Sequence, residues 1–239
     1  MLNDDTARQM GTAVKHWVDY QAICGRQMLL SESSLAQPIG EFLSVEHSGR
    51  IDAEWNHPNI PNPQRGRPRQ IDFALFSRDT DRPVTAIETK WVGDSPVQRQ
   101  LLLNDVLRLE CVRNDVNQGM TRFFLLAGMK EDLGQRCLEL GINVGGGREK
   151  FFSHLLPLDV GVAQVVPVRG CIEPMRRFFK SFAESYNVDL PTSFRAKPVM
   201  DETGEHVRLL VWKISSVRAR RTFRVQAAWP GVEVPDTED

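Results

Sequence analysis

Two short apolar runs, each carrying a charge where a sheet is normally hydrophobic, constrain this chain more than any other feature. Gln70-Ile71-Asp72-Phe73-Ala74-Leu75-Phe76 and Val84-Thr85-Ala86-Ile87-Glu88-Thr89-Lys90-Trp91 both read as strands. Ser77 to Pro83 between them has the Asp, Arg and Pro content of a hairpin turn. Burying an unpaired carboxylate is costly, so Asp72 and Glu88 need a reason to sit there. Alternation puts Glu88 and Lys90 on one face, with Ile87 and Thr89 on the other. A hairpin turning near 77–83 brings Asp72 to the same end of the ladder, so two carboxylates and one ammonium are expected to converge.

The surrounding pattern gives this pair a setting. A helix is expected from Ser31 towards Val45, capped by Ser31 or Ser33 and bent or interrupted at Pro38. Asp52 to Asn56 reads as a short strand, and Pro58, Pro61 and Pro63 mark an irregular connector. Pro96 can open a helix running to about Arg113, with Val97, Leu101, Leu102, Leu109 and Val112 as its apolar positions. Thr121 to Gly128 is a buried strand and Glu131 to Leu140 a further helix. Residues 5 to 30 read as one or two amphipathic helical turns. In the second half, Gly145-Gly146-Gly147 is a loop, Val162 to Val168 a strand and Pro174 to Tyr186 an amphipathic helix, while Val207 to Ile214 and Thr222 to Val225 form a late strand pair. The expectation is one α/β domain over residues 1–239, with a mixed central sheet flanked by helices. Its core covers about 30–130, and a C-terminal strand and helix elaboration covers about 145–230.

Clustered carboxylates suit a hard divalent cation. Mg²⁺ prefers oxygen ligands and commonly takes only one or two carboxylates, leaving water and phosphate to complete its shell. Such an ion activates water and neutralises charge on a scissile phosphate. Lys90 beside it can orient or deprotonate the water, or stabilise the phosphate.

At these residues the chain resembles the PD-(D/E)XK nuclease superfamily, the restriction-endonuclease-like fold. The resemblance rests on Ile71-Asp72, fifteen intervening residues and Glu88-Thr89-Lys90, within a helix, strand, hairpin, helix order. It covers roughly residues 30 to 130. The proline that commonly precedes the aspartate is Ile71 here, which a strand accepts equally well. The resemblance implies that Asp72 and Glu88 bind Mg²⁺ or Mn²⁺ and that Lys90 is catalytic. It also implies a phosphodiesterase acting on DNA, with RNA as the alternative substrate. The same fold without the reaction, as a DNA-binding or protein-interaction module, is the competing reading.

That superfamily often adds a glutamate from the preceding helix, and Glu32, Glu41 and Glu54 are candidates. Glu32 shares a helical face with Leu35, Ile39, Phe42 and Leu43, whereas Glu41 points the opposite way, so Glu32 is the choice. Equally, Glu32 can serve as an N-terminal charge complementing the helix dipole. Asp105 lies on an apolar helix face, where it can bond a backbone amide or Arg108, or support Lys90. Arg65, Arg67 and Arg69 precede the Asp72 strand and can contact phosphates, as can Arg218, Arg220, Arg221 and Arg224; a solvated face is the plainer reading of each run. Trp91, Trp212 and Trp229 can stack on bases but more often pack in a core. Gly145-Gly146-Gly147-Arg148 can cradle a phosphate, yet lacks the lysine-serine ending of a P-loop. His57 and His154 have no partner pattern.

Composition narrows the classes. Net charge is −1, so DNA affinity must come from a local patch and not from the global field. Cys24, Cys111, Cys137 and Cys171 are too scattered for a zinc knuckle or a disulfide framework. The acidic opening Met1-Leu2-Asn3-Asp4-Asp5 does not read as a signal peptide, and no apolar run is long enough to span a bilayer. A cytoplasmic protein without membrane partners is expected; its oligomeric state stays open, a homodimer included.

Overall fold

The computed structural model describes residues 1–62, 66–93, 98–113, 120–217 and 221–231. Helix α1 (Asp4–Ile23) leads through a 3₁₀ turn (Gln27–Leu29) to α2 (Glu32–Glu46), then β1 (Ile51–Asn56), β2 (Gln70–Phe76), β3 (Pro83–Val92), α3 (Arg99–Cys111) and β4 (Thr121–Met129). A short α4 (Lys130–Asp132) runs into a π-helical turn (Leu133–Leu138) before β5 (Gly141–Val144), β6 (Gly147–Lys150), α5 (Phe151–Leu155), β7 (Gln164–Pro167) and α6 (Glu173–Tyr186). The chain continues through β8 (Leu190–Pro191), β9 (Ser193–Thr203), β10 (Val207–Ser216), β11 (Thr222–Phe223) and α7 (Val225–Ala228).

The central sheet has seven strands in the order β1-β2-β3-β4-β10-β9-β7. Among the described residues only β3 and β4 pair in parallel, which requires a crossover, and α3 lies in that connection. β4 explains the longest apolar run in the chain: with neighbours on both edges and helices on both faces, it is buried almost throughout. Phe123, Leu125 and Ala127 face a layer built with α1 and α2, while Phe124 and Leu126 face a layer built with α3 and α6. The protein is thus a mixed α/β structure with a mixed central sheet flanked by helices.

Local chemistry accounts for the elements that position the site. The Ser34 hydroxyl accepts from the Ser31 amide at 2.9 Å, which fixes the start of α2. Pro38 sits inside that helix, buried beside Leu35 and Ile39, without ending it. α6 turns Met175, Phe179, Phe182 and Tyr186 inward and ends on Asn187 in the left-handed region. Asp19 on α1 accepts the backbone amides of Glu205, His206 and Val207, tying the helix to the turn between β9 and β10.

Two readings of the sequence are corrected. Where one or two helical turns are expected over residues 5 to 30, the 20-residue α1 (Asp4–Ile23) fills most of the segment. Its inward face includes Gly11, Lys15 and Asp19, which blur the apolar stripe. The expected late pair is not a pair: β10 lies between β4 and β9, while Thr222 and Phe223 bond to Pro191 and Leu190. β9 is hard to see in sequence because Lys197, Pro198, Asp201 and Glu202 break its alternation. A register shift opposite Val211 and Trp212 accommodates Pro198. Pro96 and Val97 lie outside the described residues; α3 is described from Arg99.

Candidate active site

The ladder between β2 and β3 runs from Phe76↔Pro83 to Phe73↔Ile87 and stops there. One step further, Asp72 lies opposite Glu88, and the strands part. Asp72 Oδ2 accepts from the Thr89 amide and the Thr89 hydroxyl, both at 2.7 Å, so a carboxylate replaces the missing ladder carbonyl. β2 changes face here: Phe73 and Leu75 belong to the layer of α1 and α2, Ile71 to that of α3. On β3, Ala86 and Val92 face α3 and Ile87 faces away, which assigns Glu88 and Lys90 to the α3 side.

Helix α3 meets those two residues with Asp105 and Arg108. Arg108 donates twice to Glu88 Oε1, from Nε at 2.9 Å and Nη2 at 2.7 Å, and Nη2 also lies 3.0 Å from Asp105 Oδ1. Lys90 Nζ is 2.8 Å from Glu32 Oε2 and 3.7 Å from Asp105 Oδ2. Glu32 thus reaches Lys90 from the first turn of α2. His57 closes the back of the site: Nε2–H donates to the Arg108 carbonyl at 2.9 Å, and Nδ1 accepts from the Asn59 and Ile60 amides.

Four carboxyl groups therefore surround two cations, a formal excess of two negative charges when all are ionised. Burial pushes the Glu88 carboxyl well above its ordinary value; Arg108 opposes that shift, and Asp72 and Asp105 add to it. Burial likewise raises Asp105 to about 6, against the pull of Arg108 and Lys90. For Lys90 burial works downward, but Asp105 and Glu32 outweigh it, so the ammonium is held above its ordinary value and stays protonated at neutral pH. Burial lowers His57 to about 4, in keeping with a neutral ring whose Nδ1 faces two amides.

Among the described residues no three His, Cys, Asp or Glu side chains are grouped to hold a metal ion. The donor chemistry nevertheless fits a hard divalent cation held by two carboxylates. Both bonds to Glu88 land on Oε1 and both to Asp72 on Oδ2, so Glu88 Oε2 and Asp72 Oδ1 accept none among the described residues. Asp105 Oδ2 is buried without a hydrogen-bond donor. Free carboxylate oxygens in a group with two more carboxyls than cations match an ion that takes one or two carboxylates and completes its shell with water.

Asp72, Glu88, Lys90 and Glu32 all belong to this cluster, with Glu32 bound to Lys90. Glu41 is exposed and bonded to Gln37, and Glu54 is exposed on the edge strand β1. Arg65, Arg218 and Arg220 lie outside the described residues. Arg67 is exposed, Arg69 stacks on the Tyr186 ring at 4.7 Å, and Arg221 and Arg224 are exposed far down the chain. Trp212 and Trp229 are core residues; Trp91 is half-buried. Sequence reasoning named Arg108 only as a partner for Asp105 and overlooked its bond to Glu88. A cation amid Leu107, Leu109 and Val106 on an apolar helix was the available signal. Thr89 had none, since its partner lies 17 residues away, and the His57 bond to the Arg108 carbonyl spans 51 residues.

No family model, curated protein or solved structure matches the chain. Among the described residues no helix is long and apolar enough to cross a membrane.

Proposed function

We propose that this protein is a divalent-metal-dependent phosphodiesterase of the PD-(D/E)XK type, acting on DNA. One observation carries the proposal: Asp72, Glu88 and Lys90 meet where β2 and β3 part, with Asp105 and Glu32 around the lysine. The order helix, three strands, helix, parallel strand supports it as well. Asp72 and Glu88 would hold Mg²⁺ or Mn²⁺, which when bound supplies an acidified water and neutralises phosphate charge. Glu32 and Asp105 fix the Lys90 ammonium in place. Because Lys90 is held protonated, it serves as an electrostatic partner for a phosphate oxygen better than as a base.

A second reading has its own observation. Arg108 already gives Glu88 a cation, as a site that has lost its metal would require. That reading makes the protein a binding module on the same fold.

Cleavage assays on linear, nicked, branched and single-stranded DNA, and on RNA, separate the two. The phosphodiesterase reading expects cleavage with Mg²⁺ or Mn²⁺ and none in EDTA. Lys90→Ala should lose most turnover yet bind metal, whereas Asp72→Ala and Glu88→Ala should lose both. A contaminating nuclease would ignore all three substitutions. Intact substrates in the presence of bound metal would leave the module reading standing.

A further inference from the structure

We propose that a cleft distinct from the acid cluster binds a nucleoside phosphate, either free or at the end of a single strand. The cleft lies between the amino-terminal ends of α3 and α6, the π-helical turn and the β5–β6 hairpin, and its volume is about 980 Å³. That is the upper end of the range for small-molecule sites. None of its lining residues belongs to the acid cluster, so the inference does not depend on the phosphodiesterase reading.

Charge defines the ligand's sign. Arg99, Arg148 and Arg177 line the cleft, and among the described residues none of them pairs with a carboxylate. The Arg148 and Arg177 side chains are exposed and make no hydrogen bond to any described residue; Arg99 donates to the Gly141 carbonyl. The two acids of the lining are already neutralised from outside it, Glu139 by Lys150 at 2.8 Å and Glu173 by Arg176 at 2.7 Å. Three guanidiniums without counter-ions in one concavity call for an anion with several oxygens, which phosphate supplies in the geometry arginine recognises. The triple-glycine segment finds its role here. Gly145 and Gly146 both take positive φ, 51° and 96°, as a two-residue hairpin turn demands. That turn holds Arg148 beside the cleft.

The rest of the lining suits a nucleoside. Phe178 forms part of the wall, with the Arg99 guanidinium 5.4 Å from its ring centre, an arrangement that offers a base a flat partner. Gln98, Gln135 and Asn143 present amides without partners among the described residues. Each carries both a donor and an acceptor, as base edges do.

The test uses the full chain in EDTA, so that turnover cannot intervene. Calorimetry with AMP and with inorganic phosphate, and fluorescence anisotropy with a 3′-labelled oligothymidylate, measure the ligand classes separately. AMP binding as tightly as the strand identifies the free nucleotide as the ligand; a strand bound about tenfold more tightly identifies a strand end. Arg148→Ala/Arg177→Ala, at two exposed and unpaired positions, should weaken either ligand by about tenfold or more. For the strand, the dependence of log affinity on log salt should fall by about 1.4, at 0.7 per lost phosphate contact. Thermal melting of the double variant should match the wild type. Inorganic phosphate binding as well as AMP would overturn the nucleoside assignment. Undiminished binding in the double variant, or no binding of any probe at about 1 mM, would overturn the site altogether.

Discussion

Replacing Arg108 by Met removes the cation on which Glu88 depends while keeping an apolar stem of similar length. Glu88 is 1% exposed, and both of its bonds from Arg108 are charge-assisted. Stranding a buried charge costs about 3–5 kcal/mol. Glu88 has an escape, which is to take up a proton. From an ordinary carboxyl value of 4.5, doing so at pH 7 costs about 3 kcal/mol at roughly 1.4 kcal/mol per pH step, so protonation sets the ceiling on the loss. The sign follows from proton counting. Folded Glu88 titrates above the unfolded value, so between the two the native state binds more protons, and stability falls as pH rises through that window. Arg108→Met extends the window upward. Wild type already bears the part of that cost set by its own raised Glu88, so the deficit should stay below about 3 kcal/mol at pH 7 and shrink as pH falls, vanishing once Glu88 is protonated in both proteins. Urea unfolding followed by tryptophan fluorescence at pH 5, 6, 7 and 8, with unchanged slopes, reads this directly. A deficit that does not shrink between pH 8 and pH 5 would show that Glu88 is not the charged partner of Arg108.

Three further perturbations test the frame around the site. His57 titrates near 4 instead of 6.5, so the unfolded state binds more protons between those values, and about 3 kcal/mol should be lost as pH falls across them; His57→Gln should lack that part of the acid slope in parallel urea titrations. Asp19→Ala orphans three backbone amides at the turn between β9 and β10 and should cost about 3 kcal/mol, with faster amide exchange at residues 205–207. A Cβ on Gly128 would sit 2.6 Å from the Val92 carbonyl, a backbone atom that cannot swing aside. Gly128→Ala should therefore cost about 1–3 kcal/mol, and a melting temperature equal to wild type would refute the close approach of β3 and β4.

The part of the fold legible in sequence is the part with strong periodicity and local punctuation. The strands holding Asp72 and Glu88, the buried run at Phe123 to Ala127, and the helices begun at Ser31 and near Pro174 all carry their signals within a few residues. β9 does not, because a bulge at Pro198 and its charged residues are tolerated only once β10 and β7 lie beside it. The site divides along the same line. Asp72, Glu88 and Lys90 were readable because charge inside an apolar strand is anomalous. The pairing of Arg108 with Glu88 spans 20 residues and depends on how α3 crosses back over β3, which no local pattern encodes.

Arg108 also sets the order in which ligands can arrive. A completed salt-bridge cluster would match its carboxyls with cations, yet here carboxyls outnumber cations by two and Asp105 Oδ2 has no hydrogen-bond donor. A phosphate brought to this face would add more negative charge to a partly buried acidic group, and repulsion at low effective dielectric would oppose it. The phosphodiesterase reading therefore requires the divalent cation to raise DNA affinity at the acid cluster. The module reading places DNA elsewhere and leaves its affinity indifferent to metal, apart from general screening. Ca²⁺ in place of Mg²⁺ lets binding be measured when it does not support turnover, and Na⁺ at matched ionic strength controls for screening. An affinity that rises with Ca²⁺ in wild type but not in Asp72→Asn supports the acid cluster as the place where DNA and metal meet. Equal affinity in all conditions would remove it from that role, and with it the phosphodiesterase reading, however well the strands and helices fit.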